Sequence, residues 1–343
     1  MIRTFTSWRG LLAVEVVLFH YSNNYVLAIV TSFAMTFFFM VSGFQLAGKY
    51  DFADLTWAGY RRFMGRRLWR VYPLHVVVLA LFALKMALEY AMLGRESDQW
   101  GYFLPQLLLV QSWLPIGQVY LKLNGVSWFL SSIVFCYACY PVLVRWLRGR
   151  RLWEQVLAVG LALAVMMALS VPLSGSPKRW IVYICPLMRL VDFTVGILLR
   201  GVYEKHRDRF LRQRGVVAEL VAELAVLGLI GTLFVLQYYD YLDRFNSEPF
   251  TLALNAMLIT LLAAHDRGAG LLGRVLHWRV LGWLGKVSYE VYMLQLIVLI
   301  MLKAVLKLAG ISGGEPWMFV VYACCLLGLS WLWHKWQGRL SAR

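Results

Sequence analysis

Apolar runs of close to twenty residues recur along this chain, and they limit what it can fold into more than any other feature. A barrel strand needs only about ten residues of alternating polarity to cross a bilayer, and these runs are longer and do not alternate. Inside a bilayer the backbone must satisfy its own hydrogen bonds, so each run reads as a helix. Ten spans are expected, near 10–28, 29–48, 72–93, 128–146, 152–172, 181–199, 216–238, 250–265, 287–308 and 315–333. Composition agrees: 61% of residues are hydrophobic and 15% charged, where soluble domains carry about a quarter charged. Once the spans are placed, 343 residues leave no room for a separate soluble domain, so residues 1–343 read as one membrane-embedded unit.

The net charge of +16 would suggest nucleic acid in a soluble protein. Here it is explained by the excess of Lys and Arg in cytoplasmic loops of membrane proteins, and no nucleic-acid partner is expected. With the N-terminus inside, 25 of the 34 basic residues fall on the cytoplasmic side and five on the other. The expected fold is therefore an all-α bundle of about ten transmembrane helices, N-in and C-in. The segment Trp100–Gln118 is apolar but interrupted by Pro105 and Pro115, so an interfacial or re-entrant piece is expected on the outer side. The opening MIRTFTSWRG lacks the pattern of a removable signal peptide, so the first span is expected to stay.

Chemistry-bearing residues are few inside such spans, which makes each one informative. Trp8–Ser22 carries Arg9, Glu15 and His20. Arg9 and His20 are eleven residues apart, which at about 100° per residue puts them on one face, about 16 Å apart along the axis. Ionisable groups at that depth are expensive and tend to face the bundle interior. A snorkelling arginine and a histidine bonded to a neighbouring helix are the plain alternative. Glu15 lies about 140° round the helix from His20 and should meet a different neighbour. Ser42-Gly43 permits a close helix approach. Arg67 and Arg70, at i and i+3, share a helix face where two guanidinium groups suit a polyphosphate, although from charge alone anchoring to anionic lipid is the plainer explanation. His75 has no partner visible in sequence. Cys136 and Cys139 form a lone C-x-x-C, and Cys324 and Cys325 are adjacent; packing explains all four, and no metal is expected. Glu219 and Glu223, at i and i+4 near a helix start, read as dipole compensation and loop pairing.

Six ordered blocks resemble acyltransferase family 3, the bacterial multispanning membrane acyltransferases. Arg9 to His20 resembles the family's R-x10-H signature, and FFFMVSGF at 37–44 its FF-x-x-SGF block. RRLWRVYP at 66–73 is similar to its R-x-x-R followed by an aromatic-Pro step. NGVSWFLS at 124–131, with Tyr137 and Tyr140-Pro141, resembles its W-x-L-S…Y…P helix. Arg189, Asp192, Phe193 and Gly196 resemble its R-x-x-[DE]-F-x-x-G block, and LGKVSYEVY at 284–292 its LGK-x-SY-x-x-Y block. Many members carry Glu where this chain has Ile133, and His where it has Gln295.

The resemblance implies an O-acyltransferase of the bacterial inner membrane. It would move an acyl group, usually acetyl from acetyl-CoA, to a hydroxyl of a carbohydrate or glycolipid acceptor. His20 would then be the general base, with Arg9 on the same face orienting the donor arm or a phosphate. Arg67, Arg70 and Arg66 would hold the CoA phosphates at the cytoplasmic boundary. Arg189 and Asp192 are expected as an intrahelical ion pair that either fixes packing or supports catalysis. Ser42, Trp128, Ser131 and Tyr289 are expected in the acceptor cavity or in packing. A competing reading is a carrier or flippase for a sugar or lipid-linked glycan, since intramembrane His, Arg and Asp suit a transport path too. Against it, no inverted repeat is visible. A partner-binding subunit that has lost activity is the third reading, left open by Ile133 and Gln295.

Overall fold

The computed structural model describes residues 2–50, 52, 56–211, 215–268, 270–311 and 316–341. Ten long helices organise it: α1 Arg3–Ser22, α2 Tyr25–Ala47, α3 Trp57–Leu93, α4 Trp128–Arg148, α5 Leu152–Ser170, α6 Pro186–Lys205, α7 Val216–Tyr238, α8 Glu248–Ala264, α9 Ser288–Leu308 and α10 Pro316–Ser341. Among the described residues, nine helices are long and apolar enough to cross a membrane. The expected tenth, α1, falls outside that set because Arg3, Thr4, Thr6, Ser7, Arg9 and Glu15 lower its hydropathy.

Boundaries shift where local chemistry overrides apolarity. The first span ends at Ser22 rather than 28, because Asn23 adopts φ 51° and closes α1, the left-handed cap that Asn tolerates. Asn24 then caps α2 by accepting the Val26 N–H at 2.8 Å. Thr56 caps α3 in the same way, accepting from Gly59. As a result α3 begins fifteen residues before the expected 72, and Arg61–Arg70 are helical. Arg212, Arg214 and Arg343, counted above with the cytoplasmic charges, lie outside the described residues, as does Glu315 at the start of the last expected span.

Cross-ties define the two ends of the bundle. At one end Arg3 Nη2 donates to the His277 carbonyl at 2.6 Å, Tyr140 OH to the Tyr50 carbonyl at 2.8 Å, and Gln337 Nε2 to the Trp69 and Arg70 carbonyls at 3.0 Å. At the other end Tyr25 OH reaches Asp240 at 3.4 Å, and Lys178 pairs with Asp243 at 3.5 Å. The first end carries the basic segments counted above. Glu223, fully enclosed, accepts the Leu272 N–H at 3.0 Å and lies 3.7 Å from His265 Nδ1, so it holds α7 to the α8–α9 connection.

Residues 98–127 fold as short helical pieces, the longest of five residues, and none crosses the bundle. Their backbone turns are satisfied by buried side chains. Gln106 Nε2 donates to the Lys122 carbonyl at 2.6 Å, Ser127 Oγ donates to Gln106 Oε1 at 3.1 Å, and Gln111 Nε2 donates to the Ser127 carbonyl at 3.1 Å. His75 of α3 finds its partner here, with Nε2 2.8 Å from the Gln106 carbonyl. Irregular backbone survives at such depth only when buried in protein.

Two glycine pairs set the tightest helix contacts. A Cβ on Gly43 of α2 would collide with the Phe193 carbonyl of α6, and one on Gly196 of α6 with the Met40 carbonyl of α2. Gly10 of α1 and Gly285 of the short helix Arg279–Lys286 meet with similar closeness. Backbones that touch gain dispersion contacts that lipid cannot offer them. Gly196→Val should therefore cost roughly 1–3 kcal/mol or more, read as a lowered thermal midpoint in detergent; an unchanged midpoint would contradict this packing.

Candidate active site

Pro186 opens α6 and has no N–H to give the Val182 carbonyl, the acceptor one helical turn behind it. Arg189 supplies the missing donor: its Nη2 bonds to that carbonyl at 2.8 Å. The same fully buried guanidinium lies 2.7 Å from Asp192 and 3.0 Å from Glu248, and donates to Thr36 Oγ1 at 3.1 Å. Thr36 in turn donates to Glu248 Oε1 at 3.0 Å. The expected Arg189–Asp192 pair is thus part of a larger web that ties α2, α6 and α8 together. Its Arg189 and Asp192 side chains are fully buried between these helices.

The basic end of the bundle holds a cavity of about 530 Å³ whose lining includes Arg9, Lys49, Arg67, Arg70 and Arg200 and, among the described residues, no carboxylate. Arg9 is anchored from α1, donating through Nη2 to the Gly285 carbonyl at 2.9 Å and to Ser288 Oγ at 3.4 Å. The R-x10-H segment and the LGK-x-SY segment therefore meet, although they lie far apart in sequence. Arg67 is held by rings: its Cζ lies 4.9 Å from the Tyr50 centroid, 5.5 Å from Phe63 and 5.7 Å from Tyr137. Aromatic faces attract a guanidinium without consuming its N–H groups. Arg67 Nε and Gln45 Nε2, both from lining residues, are buried donors with no hydrogen-bond partner among the described residues. A buried donor without an acceptor is costly, so this lining suits an anionic, acceptor-rich ligand.

Of the residues singled out in the sequence, Arg9, Ser42, Arg67, Arg70, Ile133, Tyr137 and Tyr289 line this cavity. Tyr289 hydrogen-bonds the Val71 carbonyl and Ser42 Oγ donates to the Phe38 carbonyl at 2.8 Å. Arg66 stays outside the lining, with Cζ 5.8 Å from the Tyr50 centroid. Trp128 packs on Tyr183 at 5.0 Å, just before α6, and Ser131 Oγ donates to the Leu109 carbonyl at 2.6 Å, which ties α4 to the 98–127 segment. His20 is half-buried towards the far end of α1, its ring 4.8 Å from that of Phe19, and does not line the cavity. Glu15 does face another neighbour, accepting from Thr31 Oγ1 at 3.0 Å.

Four groups escaped the sequence reading. Glu248 lies 59 positions from its partner Arg189, which no local spacing reveals. Lys49 and Arg200 read only as loop charge. Glu290, buried, bonds His334 Nδ1 at 2.8 Å and joins α9 to α10. Among the described residues, no group of three His, Cys, Asp or Glu side chains is gathered to hold a metal ion.

The acyltransferase domain family, acyltransferase family 3, matches residues 4–334. This chain belongs to that family. Acyltransferase MdmB of Streptomyces mycarofaciens is 30% identical over 284 residues, covering 78% of this chain and 68% of that protein. No solved structure matches. The protein is an acyltransferase, and the cavity and the buried web belong to one family domain that takes in nearly the whole chain.

For this acyltransferase the web is the stability element. Glu248→Ala leaves a buried guanidinium short of one carboxylate and should cost about 3–5 kcal/mol. Glu204→Ala, which breaks a half-exposed pair with Arg200, should cost no more than about 1 kcal/mol. Thermal unfolding in detergent compares the two, and equal losses would contradict the structural role given to Glu248.

Proposed function

We propose that this acyltransferase moves an acyl group, acetyl in the simplest case, from acyl-CoA to a hydroxyl of a cell-envelope carbohydrate or glycolipid. The observation that carries the donor reading is the cation-lined cavity with its two unpartnered buried donors. Arg67 and Arg70 would hold the donor's pyrophosphate by charge-assisted hydrogen bonds. Arg9, anchored on Gly285 and Ser288, would steer the pantetheine arm along the inner face of α1. The arm then carries the thioester towards His20, about 16 Å further along the same helix face.

A hydroxyl is a weak nucleophile near neutral pH. In the proposed step the His20 imidazole takes the hydroxyl proton as the oxygen attacks the thioester carbonyl. The carbon–sulfur bond breaks, the new ester forms, and the thiolate leaves as CoA after taking up a proton. We place α1 as the tenth span and the basic end in the cytoplasm of a bacterial inner membrane, where acyl-CoA is available. The acceptor's polar part would then approach from the far end, beside His20.

His20→Ala should lower acyl transfer to a host envelope extract by about 100-fold or more while leaving acyl-CoA binding unchanged. Normal turnover in that variant would overturn the base assignment. Arg67→Gln and Arg70→Gln should each raise the donor KM about tenfold with little change in kcat, measured by CoA release. An effect confined to the acceptor KM would move these arginines away from the donor.

A further inference from the structure

We infer that Arg200 and Lys49 form a second phosphate site at the rim of the cavity, which reads the phosphate on the ribose of the donor's adenosine. The inference rests on the acyl-CoA reading above and adds what the rim recognises.

The turn that ends α2 gathers an unusual amount of positive charge. A Cβ on Gly48 would collide with the Arg200 guanidinium, so this side chain lies directly against bare backbone. Phe44 and Tyr203 flank it, with ring centroids 5.3 Å and 5.6 Å from Cζ. The next residue is Lys49, whose Nζ sits 5.6 Å from the Tyr50 ring. Arg66 and Arg67 approach that same ring at 5.8 Å and 4.9 Å. Three arginines therefore approach residues 48–50, and Lys49 within them adds a fourth cation.

Among the described residues one carboxylate pairs with any of the four, and it leaves donors over. Glu204 Oε1 takes Arg200 Nε at 2.8 Å and Nη2 at 2.7 Å, one edge of the guanidinium. Arg200 Nη1 makes no hydrogen bond among the described residues. Like charges packed around one turn repel unless an anion joins them, and a guanidinium held flat by rings and backbone is already oriented for one.

The donor's own connectivity decides which anion goes where. In acyl-CoA the pyrophosphate is joined directly to the pantetheine arm, whereas the ribose phosphate is a separate monoester on the far side of the sugar. An arm that runs inward along α1 brings the pyrophosphate to Arg9, Arg67 and Arg70. The monoester is then left at the rim, where Arg200 and Lys49 also line the cavity. A lipid headgroup has phosphate too, but it has no need of a site that opens into this cavity.

The test is equilibrium binding of acetyl-CoA and of acetyl-dephospho-CoA to the full-length protein in nanodiscs of zwitterionic lipid. Wild type should bind acetyl-CoA at least tenfold tighter. Arg200→Gln should bring the two Kd values within twofold by weakening acetyl-CoA alone, Lys49→Gln should shrink the gap partly, and Arg200→Lys should keep most of it. Equal weakening of both ligands in Arg200→Gln, or no discrimination by wild type, would overturn the inference while leaving the acyl-CoA reading intact. If wild type binds neither ligand, the acyl-CoA reading itself fails. Should Arg200→Gln not fold, Lys49→Gln decides: an unchanged ratio counts against the site. If Arg200→Gln keeps the full preference for acetyl-CoA and loses only a wild-type stabilisation by added anionic lipid, the arginine belongs to headgroups and the inference fails.

Discussion

A charge carried into a bilayer has to find its partners inside the protein, because neither lipid nor water will supply them. Arg189 meets that requirement with the Asp192 and Glu248 carboxylates, the Thr36 hydroxyl and a carbonyl left free by Pro186. The partners come from α2, α6 and α8, so three helices are fixed relative to one another by one guanidinium. The Gly43–Gly196 crossing lies beside this web on the same two helices, α2 and α6. Where α2 runs out beyond that crossing, Gly48 lies against Arg200. The position of the cavity rim is therefore a downstream consequence of the buried ion web.

The cavity follows the opposite rule. Apart from Arg200, which Glu204 holds along one edge, its anchored cations are set in place by rings, carbonyls and a hydroxyl, which leaves N–H groups for a ligand. Arg67 rests among three aromatic rings, and Arg9 is tethered to a carbonyl and a hydroxyl. In the bundle interior a paired cation is architecture. At the basic end, cations that outnumber their carboxylate partners among the described residues are better understood as half of a binding site, and the acyl donor's phosphates are the proposed other half. The separation between this site and His20 then becomes a functional length, spanned by the donor's own arm.

Much of this was legible in the sequence where the signal was local. Long apolar runs gave the helices, Pro105 and Pro115 gave the irregular segment, and Ser42-Gly43 gave the close approach. Boundaries were displaced where single side chains intervened, as at Asn23, Asn24 and Thr56, because caps outweigh hydropathy over one turn. The i, i+3 spacing of Arg189 and Asp192 revealed their pair but not Glu248, since partners on another helix leave no periodic trace. Lys49 and Arg200 were hidden for a different reason. A positive-inside loop explains any lysine or arginine at a helix end, so charge alone did not separate a ligand contact from an anchor. His20 was visible from its spacing to Arg9, yet the cavity stops short of it.

The most direct measurement is a structure of the full-length protein with acetyl-CoA bound in a lipid nanodisc. The expected result places the donor phosphates against Arg67 and Arg70 inside the cation-lined cavity, with the arm running along α1 past Arg9 and the thioester beside His20. Phosphates found elsewhere, or a thioester on a face of α1 away from His20, would contradict the account.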